Sequence, residues 1–65
     1  MYTLVGVNGN AFAIIGFVQS VMKKEGFTRE SIEAYRKDAT SGDYYHLLMV
    51  SKDKLDLINM SKEEQ

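Results

Sequence analysis

The 65-residue chain has no cysteine, no proline and a single histidine. Without cysteine there is no disulfide scaffold and no thiolate metal cluster. A zinc site would have to lean on carboxylates around His46, an unpromising donor set, so no metal and no cofactor is expected. No stretch approaches the roughly 20 apolar residues that span a bilayer, and no basic-then-apolar leader with a small-residue cleavage site is present. These absences predict a soluble, cytoplasmic protein with no membrane partner. An excess of one charge is missing as well. Eight Lys and Arg against nine Asp and Glu leave a formal net charge of −1. A stand-alone DNA or RNA binder draws affinity from a dense basic surface, so no nucleic-acid partner is expected. Lys23, Lys24, Arg29, Arg36 and Lys37 are interleaved with acids and read as a solvated surface, from which one or two can reach a bound phosphate.

Sixty-five residues make one small domain, expected to span residues 1–60, with 61–65 a frayed tail. Ordering a chain of this size costs on the order of 100 kcal/mol, which so small a core barely offsets. Small scaffolds close that gap with staples, metals or partners. With no cysteine and few metal ligands, oligomerisation is the remedy left.

The pattern along the chain is mainly α. Tyr2 to Val7, rich in β-branched and aromatic residues, reads as a short strand that stops at Asn8-Gly9-Asn10. Asn10 is placed to cap a first helix carrying Ile14, Ile15, Val18, Val21 and Met22 at helical spacing, with Lys23 and Lys24 in its last turn and Gly26 as its stop. Thr28 caps a second helix that runs to about Ala39, with Phe27 and Ile32 in the two positions of a hydrophobic staple. Ile32, Tyr35 and Ala39 face inward, and Glu33 and Lys37 form an exposed i,i+4 pair. Thr40-Ser41-Gly42 breaks that helix. Asp43 then caps a third, with an inner stripe of Tyr44, Leu48, Ser51, Leu55 and Ile58; a short strand over Leu55 to Met60 is the alternative, since short apolar runs are ambiguous. Residues 11–18 (AFAIIGFV) carry no polar side chain on any face, and three helices offer little material to surround them. Either this helix is central with Phe12 or Phe17 partly exposed, or it forms a subunit interface, the favoured reading. Gly16 is then explained by close backbone approach from another element.

Two polar segments can carry chemistry. Asn8-Gly9-Asn10-Ala11 feeds a helix N-terminus, where free backbone N–H groups and the positive dipole end suit a phosphate or carboxylate. It is not a P-loop, because the Lys-Ser/Thr is missing. Thr40-Ser41-Gly42-Asp43-Tyr44-Tyr45-His46 offers two hydroxyls and another helix start, beside phenols and an imidazole that can stack on a base and bond its edge. Taken singly, each segment reads first as an ordinary turn and cap; their joint occurrence, two helix starts dressed with glycine and small polar donors, is what raises the binding reading. Ser41, Asp43 and His46 crowd one helix start, where triad geometry is rarely reached, and Asp53 and Asp56 lie on a solvated stretch, so no catalytic residue is expected.

The motifs Gly9-Asn10-Ala11-Phe12, Ile14-Ile15-Gly16 and Ala39-Thr40-Ser41-Gly42-Asp43-Tyr44 with His46-Leu47-Leu48 resemble a family of short phage and mobile-element proteins. The resemblance covers about Leu4 to Leu48 and extends to phage sponge proteins, of the anti-CBASS type, that sequester cyclic oligonucleotide signals of bacterial defence. It implies a non-catalytic homo-oligomer, a dimer or tetramer in the host bacterial cytoplasm. Its ligand would be a cyclic dinucleotide such as 3'3'-cGAMP, held in pockets at subunit interfaces. In that reading Gly9, Asn10, Ala11, Thr40, Ser41 and Gly42 hold phosphates, and Tyr44, Tyr45 and His46 contact bases. Asn8 stands where the family pattern has an acidic residue, a departure that should favour a phosphate. The alternative is a small oligomeric protein that inhibits a host enzyme by surface contact, with the same loops acting only as caps.

Overall fold

A computed structural model describes residues 1–63. Three helices follow one another: α1 over Ala11–Lys24, α2 over Arg29–Ala39 and α3 over Tyr44–Glu63. Each packs on the other two. The first helix forms as its sequence dictates. The Asn10 side chain accepts from the Phe12 N–H at 2.8 Å, and one stripe, Ile14, Ile15, Val18, Val21 and Met22, is buried. It ends in a Schellman motif: Gly26 adopts φ +87°, Gly26 N–H donates to the Lys23 carbonyl at 3.1 Å, and Phe27 N–H donates to the Met22 carbonyl at 3.0 Å. Thr28 then caps α2, accepting from Ser31 N–H at 3.1 Å, while Phe27 and Ile32 lie half-buried against the core.

Helix α3 is continuous through the stretch whose pattern also suited a strand; Leu55 to Met60 is helical, with Leu55 and Ile58 buried. It extends to Glu63, so residues 61–63 are helix rather than frayed tail; residues 64 and 65 lie outside the described residues. Its buried stripe is Leu47, Ser51, Leu55 and Ile58. Leu48 sits half-buried at the edge of that stripe, and Tyr44 is displaced from it, 44% exposed. Ser51 lies fully inside because Tyr35 faces it: their hydroxyls are 2.6 Å apart, so each polar group is satisfied in an apolar interior. Burial pushes the Tyr35 phenol above its ordinary range. Glu33 and Lys37 do not pair; among the described residues the side-chain ion pairs are Lys52–Asp56 and Lys62–Glu25, and His46 is hydrogen-bonded to Asp38.

The expected strand at Tyr2 to Val7 is absent, and the described residues contain no strand at all. A strand needs a partner ladder, and among the described residues a side chain supplies the only rung. The Asn59 carboxamide accepts from Tyr2 N–H at 2.8 Å and donates to the Tyr2 carbonyl at 2.7 Å, as a neighbouring strand would. Beyond it the chain reverses. Val7 N–H donates to the Leu4 carbonyl at 3.0 Å with Gly6 at φ +86°, a turn with its left-handed residue third, the type II arrangement that glycine favours. The turn points Leu4 and Val7 at the core and leaves Val5 in solvent. Tyr2 is also tied to the far end of α1: its hydroxyl donates to Glu25 Oε2 at 2.8 Å, and the Lys62 ammonium bonds the same carboxylate at 3.0 Å while lying 5.8 Å from the Tyr2 ring centre. The N-terminal segment thus runs back along α1 from its C-terminal end to its N-cap.

Candidate functional site

The two polar segments meet at one end of the molecule. Asn8 Oδ1 accepts from Asn10 N–H at 2.9 Å, an Asx turn that presents Gly9 at its tip. The Tyr44 hydroxyl donates to the Gly9 carbonyl, bonding the first turn of α3 to the loop before α1. Between them lies an open cleft of about 300 Å³ with an apolar floor of Ile15, Ala39 and Leu47. Phe12 and Tyr44 stand on its walls, and Asp43 and Thr40 at its polar rim. Phe12 is 85% exposed, an unusual position for an aromatic ring on a helix whose opposite stripe is fully packed.

Each expected ligand residue has a definite local role. Asn10 is the cap of α1, and Ala11 and Gly42 line the cleft. The hydroxyls of Thr40 and Ser41 do not form the expected donor cradle. Both sit at the C-terminal end of α2 and donate inward, Thr40 to the Arg36 carbonyl at 2.8 Å and Ser41 to the Asp38 carbonyl at 2.7 Å. Those carbonyls are the orphan acceptors of a helix end, so the nearest hydroxyl protons are taken up there. The cue was in the sequence: hydroxyls directly after a helix stop serve that helix first.

His46 turns away from the cleft and latches the α2–α3 corner. Its Nε2 lies 2.9 Å from the Asp38 carbonyl oxygen and 3.1 Å from Asp38 Oδ1. Both are acceptors, so this nitrogen bears the hydrogen. Ser41 Oγ is 3.4 Å from the same atom, but its own proton goes to the Asp38 carbonyl. Nucleophile, imidazole and carboxylate therefore crowd a single nitrogen instead of forming a relay through both. Gly42 makes the latch possible: a Cβ there would sit 2.9 Å from His46 Cβ and Cγ. Tyr45 points outward, 80% exposed.

Asp43 does two things at once. Oδ1 accepts from His46 N–H at 2.9 Å, capping α3, while among the described residues Oδ2 makes no hydrogen bond. Phe12, the residue that the motif reading left out of the site, had one signal pointing to it: an aromatic at the second position of a helix whose apolar stripe starts two residues later. Among the described residues no group of three His, Asp or Glu side chains is arranged to hold a metal ion, and no helix is long and apolar enough to cross a membrane. Compared with models of protein families, with curated proteins and with solved structures, the chain matches none.

Proposed function

We propose that this protein binds and sequesters a cyclic oligonucleotide signal, of the cyclic dinucleotide class, without chemical turnover. One observation carries the reading: the Tyr44–Gly9 hydrogen bond ties the two polar segments together beside a cleft lined by Phe12 and Tyr44. A nucleotide needs an apolar face for its base and backbone donors for its phosphates. The cleft offers the first, and the start of α1 beside it offers the second. In this reading Gly9 and Ala11 approach phosphate through their backbone, Asn10, whose N–H is held by Asn8, shapes the turn, and Tyr44 meets a base. The sponge works as a homo-oligomer, since a ligand with two bases and two phosphates matches a site presented twice about a two-fold axis.

A second reading is favoured by a different observation. The hydroxyls of Thr40 and Ser41 are occupied by α2, and Phe12 is exposed as a protein contact would have it. That fits an oligomeric inhibitor that acts on a host enzyme by surface contact.

Thermal shift against a panel of cyclic di- and trinucleotides separates the two. A ligand at a hundred times its Kd should stabilise the fold by about 2.7 kcal/mol. The bound nucleotide, released by denaturation, should be intact and stoichiometric with protein. A linearised product that grows with time and is missing from a boiled control would replace sequestration with catalysis. No shift with any nucleotide would leave the contact inhibitor.

A further inference from the structure

The chemistry of the cleft rim points to one kind of base. Its polar side chains accept rather than donate. Asp43 contributes a carboxylate whose Oδ2 makes no hydrogen bond among the described residues, Thr40 Oγ1 has given its proton to the Arg36 carbonyl, and the Tyr44 hydroxyl has given its own to the Gly9 carbonyl. A carboxylate is acceptor-only, and it repels the phosphate that a helix start would otherwise attract. What such a rim takes is a neutral, flat, apolar body bearing adjacent N–H donors. Guanine is that group: its N1–H and N2–H₂ lie side by side on one edge and match the two oxygens of a carboxylate. Adenine presents one amino donor beside an acceptor nitrogen, which a carboxylate disfavours. The ring faces have partners as well. Phe12 stands 85% exposed at the wall with no packing role among the described residues, and Tyr44 is pinned by its bond to Gly9, so the second aromatic wall is fixed before any ligand arrives.

We infer that the cleft between the starts of α1 and α3 is a guanine site, with Asp43 reading the Watson–Crick edge and Phe12 stacking on the ring. This rests on the nucleotide reading above and deepens it: the base enters the cleft while phosphates stay outside, toward the α1 turn.

The experiment is calorimetric titration of GMP, IMP, AMP and 3'3'-cGAMP into the wild-type protein, Asp43→Asn and Phe12→Ala, with melting temperature and light-scattering mass recorded for each. Asparagine caps helices as well as aspartate, so Asp43→Asn keeps α3 while exchanging one acceptor for a donor. Phe12 is exposed, so its truncation removes little packing. The expected result is GMP ahead of IMP, which lacks the N2 amino group, with AMP weakest. Asp43→Asn should lower GMP and 3'3'-cGAMP affinity roughly ten- to a hundredfold at unchanged melting temperature and mass, the range of a lost bidentate base contact. Phe12→Ala should cost roughly tenfold with every base, because stacking ignores the edge. Wild-type binding of 3'3'-cGAMP that neither substitution weakens overturns the guanine site and leaves the sponge standing. Asp43-dependent binding of GMP with none of any cyclic nucleotide keeps the guanine site and overturns the sponge. No binding of any of the four at millimolar concentration overturns both.

Discussion

Gly42 shows how much a single missing carbon decides. The α2–α3 corner is closed by the His46 ring lying over the Gly42 backbone and bonding Asp38 at the end of α2. A methyl at residue 42 would meet His46 Cβ and Cγ at 2.9 Å, closer than side-chain carbons approach, and the Cβ belongs to the helix and cannot swing aside. Gly42→Ala should therefore destabilise the fold by roughly 1–3 kcal/mol, the range for a forced overpacking. His46→Ala removes the ring but keeps the Cβ. The double variant should thus be less unstable than the sum of the two single losses, with part of the clash remaining. Urea denaturation of the four proteins measures that coupling; strict additivity would mean that ring and glycine do not touch. The same corner explains why the segment around residues 40–46 invites over-reading. Its hydroxyls and imidazole look like a ligand set in sequence, yet Thr40, Ser41 and His46 spend their hydrogens on the carbonyls at the end of α2. Asp43 and Tyr44, between Ser41 and His46 in the chain, line the cleft with Thr40 and Gly42.

At the scale of elements, the helices were legible and the N-terminal segment was not. The caps Asn10, Thr28 and Asp43, the stop at Gly26 and the buried stripe of α1 all stand where local rules put them, because each depends on neighbours within four residues. Tyr2 to Val7 has strand composition, but whether it forms a strand depends on what lies alongside, and its partner is Asn59, 57 positions away. No local rule reports such a contact. The cleft was half legible for the same reason: its two segments are visible in sequence, while the Tyr44–Gly9 bond that joins them spans 35 positions. The clasp that holds the segment down has a pH signature. The Tyr2 hydroxyl, and then the Lys62 ammonium, hold the Glu25 carboxyl below its usual range; Glu25 in turn raises both Tyr2 and Lys62. A lowered carboxyl contributes stability that is whole above its unfolded value, about 4.3, and is lost as pH falls through the lower folded value. The raised phenol and ammonium contribute below about 10, and that part is lost as pH rises through their folded values. Glu25→Gln should thus be less stable than wild type by a margin that is flat from roughly pH 5 to 9 and shrinks at both ends. Urea midpoints across pH give the margin, and one that widened on acidification would show that Glu25 is not the clasp's charged member.

The whole molecule is thin. Its Cα atoms fill 34 × 26 × 15 Å, and a helix with its side chains is already about 10–12 Å across. A body one to two helices thick cannot wrap α1 on every side. The all-apolar stretch from residue 11 to 18 is accordingly buried on one stripe and open on the other, with Phe12 and Gly16 exposed one turn apart. Beyond its own helix backbone and its chain neighbours, no described atom lies within 4 Å of where a Gly16 Cβ would be, so nothing among the described residues of one subunit requires a glycine there. Its helix position costs about 1 kcal/mol relative to a better helix former, with no return inside one chain. A second subunit approaching along the Gly16 face would supply the missing reason. The test separates folding from assembly. In an isolated subunit, Gly16→Leu fills open solvent and improves helix propensity, so the melting temperature of a monomer should hold or rise. In an assembly packed on that face, the same side chain overfills a close contact at a cost of roughly 1–3 kcal/mol or more. Light scattering should therefore show a wild-type dimer or tetramer at micromolar concentration and a Gly16→Leu monomer whose circular dichroism remains helical. A wild-type protein that runs as a monomer, or a Gly16→Leu variant that keeps the parent mass, would remove this face as the subunit contact.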